Sequence, residues 1–180
     1  MKTSQEAGYE CQIRDDTLEI AEGEAIHTLY RIRALRDCWP YVRSGGLGGY
    51  LASTANLDTQ GNAWVMDNAC VYGSASVSGH ACVRGEAHVF QQAQVTDNAL
   101  IAGNAKLSGQ VVVSGNSRVD GNAVLTGKVC VRDKAHIGGE MTLAGEQIVS
   151  GDSRQGLPGE RKTEAEKAQA VIAQAVVLKH

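Results

Sequence analysis

Histidine is the side chain best suited to act as a general base near neutral pH. Three of the five in this chain, His80, His88 and His136, recur inside a strictly periodic stretch. His80 stands in GHACV where a neighbouring phrase, GNAWV, has Asn62, so it occupies a turn position. His88 and His136 fall where a strand side chain faces outward. A catalytic base needs a group to orient it and a nearby place for substrate. No carboxylate column runs beside these histidines, although Glu86 is two residues from His88. His80 and His88 are the candidates for catalysis. The plainer reading of each, and of His136, is a solvated surface histidine. His27 lies ahead of the periodic stretch and has no such context.

A second group able to do chemistry is basic: Arg31, Arg33, Arg36 and Arg43 precede the repeat. Arg31, Arg33 and Arg43 are candidates for contact with an anion or an acidic partner, against the plainer reading of a solvated strand edge. The following GGLGGY is not a phosphate loop, because no Lys-Ser/Thr follows and no helix begins there. Its glycines at 45, 46, 48 and 49 suit positive-φ corners or close backbone approach. The five cysteines (11, 38, 70, 82 and 130) are odd in number, scattered and without a CxxC. That argues against a disulfide framework or a zinc site and for a reducing compartment. No metal site and no cofactor motif is read. A net charge of −3 gives no pull toward nucleic acid or an anionic membrane. The opening MKTSQEAGYE lacks the apolar centre of a signal peptide, and no run approaches a membrane span. The expected location is cytoplasmic.

The element that must position these residues is a six-residue phrase running from Gly61 to about Ser153: GNAWVM, DNACVY, GSASVS, GHACVR and so on to GEQIVS. Its fifth position is aliphatic in every copy, from Val65 through Ile101 to Val149. Two residues earlier stands a small side chain, usually Ala, and four earlier Gly or Asp in nearly every copy. Neither a helix nor an ordinary strand has a period of six, so the phrase is one side of a triangular coil. Three phrases close a turn of 18 residues, and successive turns stack as parallel strands about 4.8 Å apart. Leu51 and Leu57, with Ala55 between them, follow the same grammar and give an opening coil over 44–57. Two extra residues then separate it from the main register, in the segment DTQ.

The flanks obey other rules. YECQIR and TLEIAE around Asp15-Asp16 read as two short strands about an acidic turn. HTLYRIRALRD alternates with period two and reads as a strand, broken by Cys38-Trp39-Pro40. After the repeat, RQGLPGERK reads as a linker and TEAEKAQAVIAQAVVLKH as a helix. Its capping box is Thr163/Glu166, and its apolar stripe is Ala165, Ala168, Ile172, Ala175 and Val176. The expected organisation is a hairpin and strand cap over 1–43, a β-helix over 44–154, and a linker and helix over 155–180.

Residues 18 apart share a face, so the surface can be read in columns. One face stacks Trp64, Cys82 and Leu100, then Arg118, His136 and Arg154. A second stacks Tyr72 on Phe90, with Val112, Cys130 and Ile148 beside them; the third carries Cys70, His88, Lys106, Val124 and Thr142. Contiguous apolar residues at outward positions mark an interface or a covered surface. Trp64, Cys82, Leu100, Tyr72, Phe90, Val112, Cys130 and Ile148 are therefore expected either between subunits or under the N-terminal segment or C-terminal helix.

YRIRALRD, VRSGGLGGYL and NLDTQGNAWVMDNACVYG resemble the opening of the YdcK-like hexapeptide-repeat proteins of bacteria and their prophages. The resemblance covers residues 29–153. It implies an all-β fold, a single-stranded left-handed parallel β-helix, and a homo-oligomer, with a trimer favoured. That family is labelled acyltransferase or polymer-forming on fold grounds. It often has Asp in the phrase GDLGG, where this chain has Gly46, and it offers no catalytic residue to carry over. Two functions lead, ahead of a lyase or hydratase with a metal held by histidines of neighbouring subunits. One is a non-catalytic solenoid scaffold for self-assembly or for binding a protein partner. The other is an acyltransferase at a subunit interface, with acyl-CoA as donor and histidine as base. The unbroken register favours the first, since a pocket on a smooth prism needs a loop thrown out from the wall.

Overall fold

A computed structural model describes residues 9–38, 40–58 and 60–157. The expected C-terminal helix and the linker from Pro158 lie outside the described residues. Strand β1 spans Tyr9–Glu22, β2 Ala25–Ala34 and β3 Leu47–Leu51. Sixteen short strands, β4 (Trp64–Val65) through β19 (Arg154–Gln155), follow at the period of the repeat. They stack into three parallel walls. Sheet I has eight strands in the order β1-β2-β3-β5-β8-β11-β14-β17, sheet II six (β4-β7-β10-β13-β16-β19) and sheet III five (β6-β9-β12-β15-β18). The result is a β-solenoid, as the period of six requires. Among the described residues its one helical element is a 3-10 turn at Thr54–Asn56.

Each coil is held to the next by its backbone. Trp64 N–H donates to the Ala81 carbonyl (3.0 Å) and Met66 N–H to that of Val83 (2.8 Å), and the pattern recurs coil after coil. The fifth-position aliphatics fill the interior. Val65, Val83, Ile101, Val119 and Ile137 form one fully buried column, with matching columns behind the other two walls. At about 1.5–3 kcal/mol for each buried aliphatic, these columns are the main source of stability. Ser117 takes an alanine position and is buried, and its hydroxyl donates to the Ser114 carbonyl at 2.7 Å.

The corners turn on a residue at positive φ, usually Gly. Asp67, Gln91, Asp97 and Asp133 adopt the same conformation with φ of 57–65°, at some steric cost. Each offsets that cost by accepting a hydrogen bond from the glycine N–H one coil later. The pairs are Asp67 with Gly85 (3.0 Å), Gln91 with Gly109 (2.7 Å), Asp97 with Gly115 (2.8 Å) and Asp133 with Gly151 (2.9 Å).

The opening coil closes as expected. Leu51 pairs with Val71 and Leu57 with Val77, each offset by the regular 18 plus the two inserted residues. The inward residue between the two leucines is Asn56, however, while Ala55 is exposed. A strand-like Ala would leave carbonyls of the coil above without donors. The Asn56 amide instead donates to Gly73 (3.1 Å) and Ala75 (2.7 Å), and its oxygen accepts from Ser53 N–H (2.8 Å). Gly48 is needed for close approach, since a side chain there would meet Ile32 and the Val65 carbonyl at 2.6 Å.

The hairpin differs from its sequence reading. Asp15-Asp16 is not its turn. Strand β1 runs through both residues, and the turn falls at Gly23-Glu24, with Gly23 at φ 60°. Pairing with β2 jumps from Gln12–Arg31 to Thr17–Tyr30, so the acidic pair sits in a bulge. The bulge is held from two sides, since the Asp16 carboxylate accepts from the Tyr50 hydroxyl of β3 (2.8 Å) and pairs with Arg31 of β2 (3.2 Å).

Candidate functional site

Parallel register fixes what each wall presents. Outward on sheet I stand Tyr50, Cys70, His88, Lys106, Val124 and Thr142. On sheet II stand Trp64, Cys82, Leu100, Arg118, His136 and Arg154. On sheet III stand Ser76, Gln94, Val112, Cys130 and Ile148.

The first coils are covered by the chain itself. Leu29 of β2 packs with Cys70 and Tyr72 in a buried cluster, with Ile20, Tyr50 and Phe90 against it. Tyr72 and Phe90 stack as expected (5.0 Å, 7°), but they flank sheet I rather than standing beside Val112. The corner bends them toward the hairpin. The His27 ring lies 5.1 Å from Tyr72 and pairs with Glu22 (3.2 Å), while the other Glu22 oxygen accepts from the Gln91 amide at 2.7 Å. On sheet II, Cys38, Tyr41 and Val42 share a cluster with Trp64. The Tyr41 hydroxyl reaches over to the His80 carbonyl (3.0 Å), and Arg36 reaches the Gly61 carbonyl (3.0 Å). Trp64, Cys82 and Tyr72, expected at an outward surface, are 1%, 2% and 4% exposed. They are part of this chain's own packing, with Phe90 half-buried against Tyr72.

The sequence candidates for chemistry fall in different places. His80 is exposed at a corner. His88 is half-buried with its ring edge-on to Tyr72 at 6.1 Å. Burial first, then the Lys106 ammonium one coil on, hold the His88 imidazole below its ordinary range, with Glu86 pulling the other way. Burial pushes the Cys70 and Cys82 thiols up to about 11 and the Tyr72 hydroxyl up to about 12. These groups are neutral packing residues at neutral pH. Arg31 is engaged inside the N-terminal cap, paired with Asp16 and 4.9 Å over the Tyr50 ring. Arg33 and Arg43 are exposed.

One constellation was missed. His136 does have a carboxylate beside it: Asp120, one coil earlier, lies 3.1 Å from the imidazole and also pairs with Arg118. Burial raises the Asp120 pKa, but the bonds to Arg118 and His136 outweigh it and hold the carboxyl below its ordinary range. The offset is 16 rather than 18 residues, because a corner position of one coil meets a wall position of the next. Reading straight columns passes over it.

Along the same corner lies an open groove of about 540 Å³, lined by Asp67, Arg84, Gly85, Ala102, Gly103, Arg118, Asp120 and Gly121. Ala102 forms its floor because it is a short side chain between Arg84 of the coil below and Asp120 of the coil above. Among the described residues no three His, Cys, Asp or Glu side chains could together hold a metal ion. Cys38, Cys70, Cys82 and Cys130 are free thiols. No described helix is long and apolar enough to cross a membrane. The chain matches no family model and no curated protein.

Proposed function

We propose that this chain is a β-solenoid scaffold that assembles with further copies of itself through sheet III. The observation that carries this reading is a contrast between walls. On sheets I and II the fully buried apolar outward residues, Trp64, Cys70 and Cys82, lie in the first coils beside the N-terminal segment, and Leu100 and Val124 stand past it, each half-buried. Past it the columns turn largely polar, with Lys106 and Thr142 on one and Arg118, His136 and Arg154 on the other. Sheet III does the reverse. Its first outward residues are Ser76 and Gln94, and its later ones are Val112, Cys130 and Ile148, the last 66% exposed. A continuous apolar column on a flat wall is suited to burial against a partner. A closed oligomer of identical walls provides one, and the YdcK-like resemblance favours a trimer.

The walls run from β4 to β19 without a loop inserted between coils. That suits a rigid spacer better than an enclosed pocket. Light scattering tests the reading: the unchanged chain is expected as a discrete oligomer, and Val112→Glu with Ile148→Glu as a folded monomer. A monomer before the change, or an oligomer of the same mass after it, contradicts the proposal.

A further inference from the structure

The corner groove beside sheet II repeats a backbone geometry whose occupant is seen in three intramolecular contacts, one in the groove itself and two at another corner. Wherever Asp occupies the positive-φ corner, its carboxylate receives the N–H of the glycine one coil later, as in Asp67–Gly85, Asp97–Gly115 and Asp133–Gly151. In the groove column the residues after Asp67 are Gly85, Gly103 and Gly121, at φ 76°, 66° and 67°. Their backbones repeat that geometry, so the N–H groups of Gly103 and Gly121 are set as that of Gly85 is. Yet Gly85 and Gly103 have no side chain to offer them an acceptor.

The groove adds charge where that acceptor would stand. Arg84 is exposed, at the mouth below Ala102, and forms no ion pair among the described residues. Arg118 lines the upper wall. The two carboxylates of the lining are already engaged: Asp67 takes the Gly85 N–H, and Asp120 is held by Arg118 and His136. Arg84 thus lines the same groove as the open Gly103 corner with no carboxylate paired to it among the described residues. We propose that this groove binds a carboxylate or phosphate group, which bonds the N–H of Gly103 or Gly121 and pairs with the Arg84 guanidinium. It would stand where the Asp side chain stands in the other corners. The inference is independent of assembly through sheet III, which uses a different wall.

Amide chemical shifts of the ¹⁵N-labelled chain, titrated with sodium acetate and separately with sodium phosphate at constant ionic strength, test it. The Gly103 and Gly121 amides are expected to move saturably, while Gly85 and Gly115, already held by Asp67 and Asp97, stay in place. The anion giving the larger response identifies the preferred headgroup. Arg84→Gln is expected to weaken the titration about two- to fivefold, the range of an exposed ion pair. If Gly103 and Gly121 move no more than Gly85 and Gly115, or if Arg84→Gln leaves the titration unchanged, the proposal is overturned. The titration of the unchanged chain decides even if a variant fails to fold.

Discussion

The early coils and the late coils share one interior and differ in what lies outside it. At the start, Cys70 and Tyr72 on sheet I and Trp64 and Cys82 on sheet II are as buried as the aliphatic columns behind them. The chain's own N-terminal segment packs over them. At the end, sheet III carries Val112, Cys130 and Ile148 in the same kind of outward column, with Ile148 mostly exposed. The same residue chemistry is intramolecular packing at one end and a surface at the other. The lesson concerns repeat proteins generally. The period determines which residues point outward, and only the flanking segments decide which outward residues meet solvent.

The sharpest way to break that comparison is to place one charge on either side of a wall. Val95→Asp puts an unpaired carboxylate among fully buried aliphatics and is expected to cost about 4 kcal/mol or more, enough to unfold a marginal chain. Ile148→Asp on the outer side should leave the melting temperature of the dilute chain almost unchanged. Circular dichroism melts of both variants check the pair. A milder contrast uses truncation. Tyr72→Ala removes a buried ring stacked on Phe90 and should cost about 3 kcal/mol, whereas Val112→Ala should cost about 1 kcal/mol or less in the monomer. Urea denaturation gives both numbers, and equal costs would mean that the two surfaces are not different in kind.

The smallest expected effect is a pH dependence, near neutrality at the covered end and in acid on the later coils. The folded-state pKa of His88 lies below its ordinary value. As pH falls below about 6.5, the unfolded chain takes up a proton that the folded chain resists, and stability declines. Asp120 works in a lower window. Its pKa is depressed in the fold, so its contribution is intact above the ordinary carboxylate range and is lost as pH falls through it. His88→Gln should therefore flatten stability between about pH 5 and 7 while leaving the acid limb in place. Denaturation midpoints across that range test the assignment.

Much of the fold was legible because the six-residue period is a direct image of the coil. Every fifth-position aliphatic from Val65 to Val149 lands in the interior, and the three outward columns pair as the spacing requires. The same arithmetic failed wherever a contact leaves the column. Asp120 meets His136 across a corner, Tyr72 leans toward the hairpin, and Asn56 replaces the expected Ala55 because a first coil must satisfy the carbonyls above it. The acidic pair Asp15-Asp16 misled because turn composition and bulge composition are alike, and only pairing with β2 separates them. The groove was invisible for a related reason. It depends on Ala102 being shorter than Arg84 and Asp120, a comparison that matters only once those three are stacked.

The most direct test of the contrast between covered and bare walls uses the chain's own thiols. Labelling with a small alkylating reagent, read residue by residue by mass spectrometry, compares Cys70 and Cys82 with Cys130 as the protein is diluted. Cys70 and Cys82, buried under the N-terminal segment, should react slowly at every concentration. Cys130 should react quickly in dilute solution and slow as copies associate through sheet III. A Cys130 rate that stays the same from dilute to concentrated protein would contradict the account.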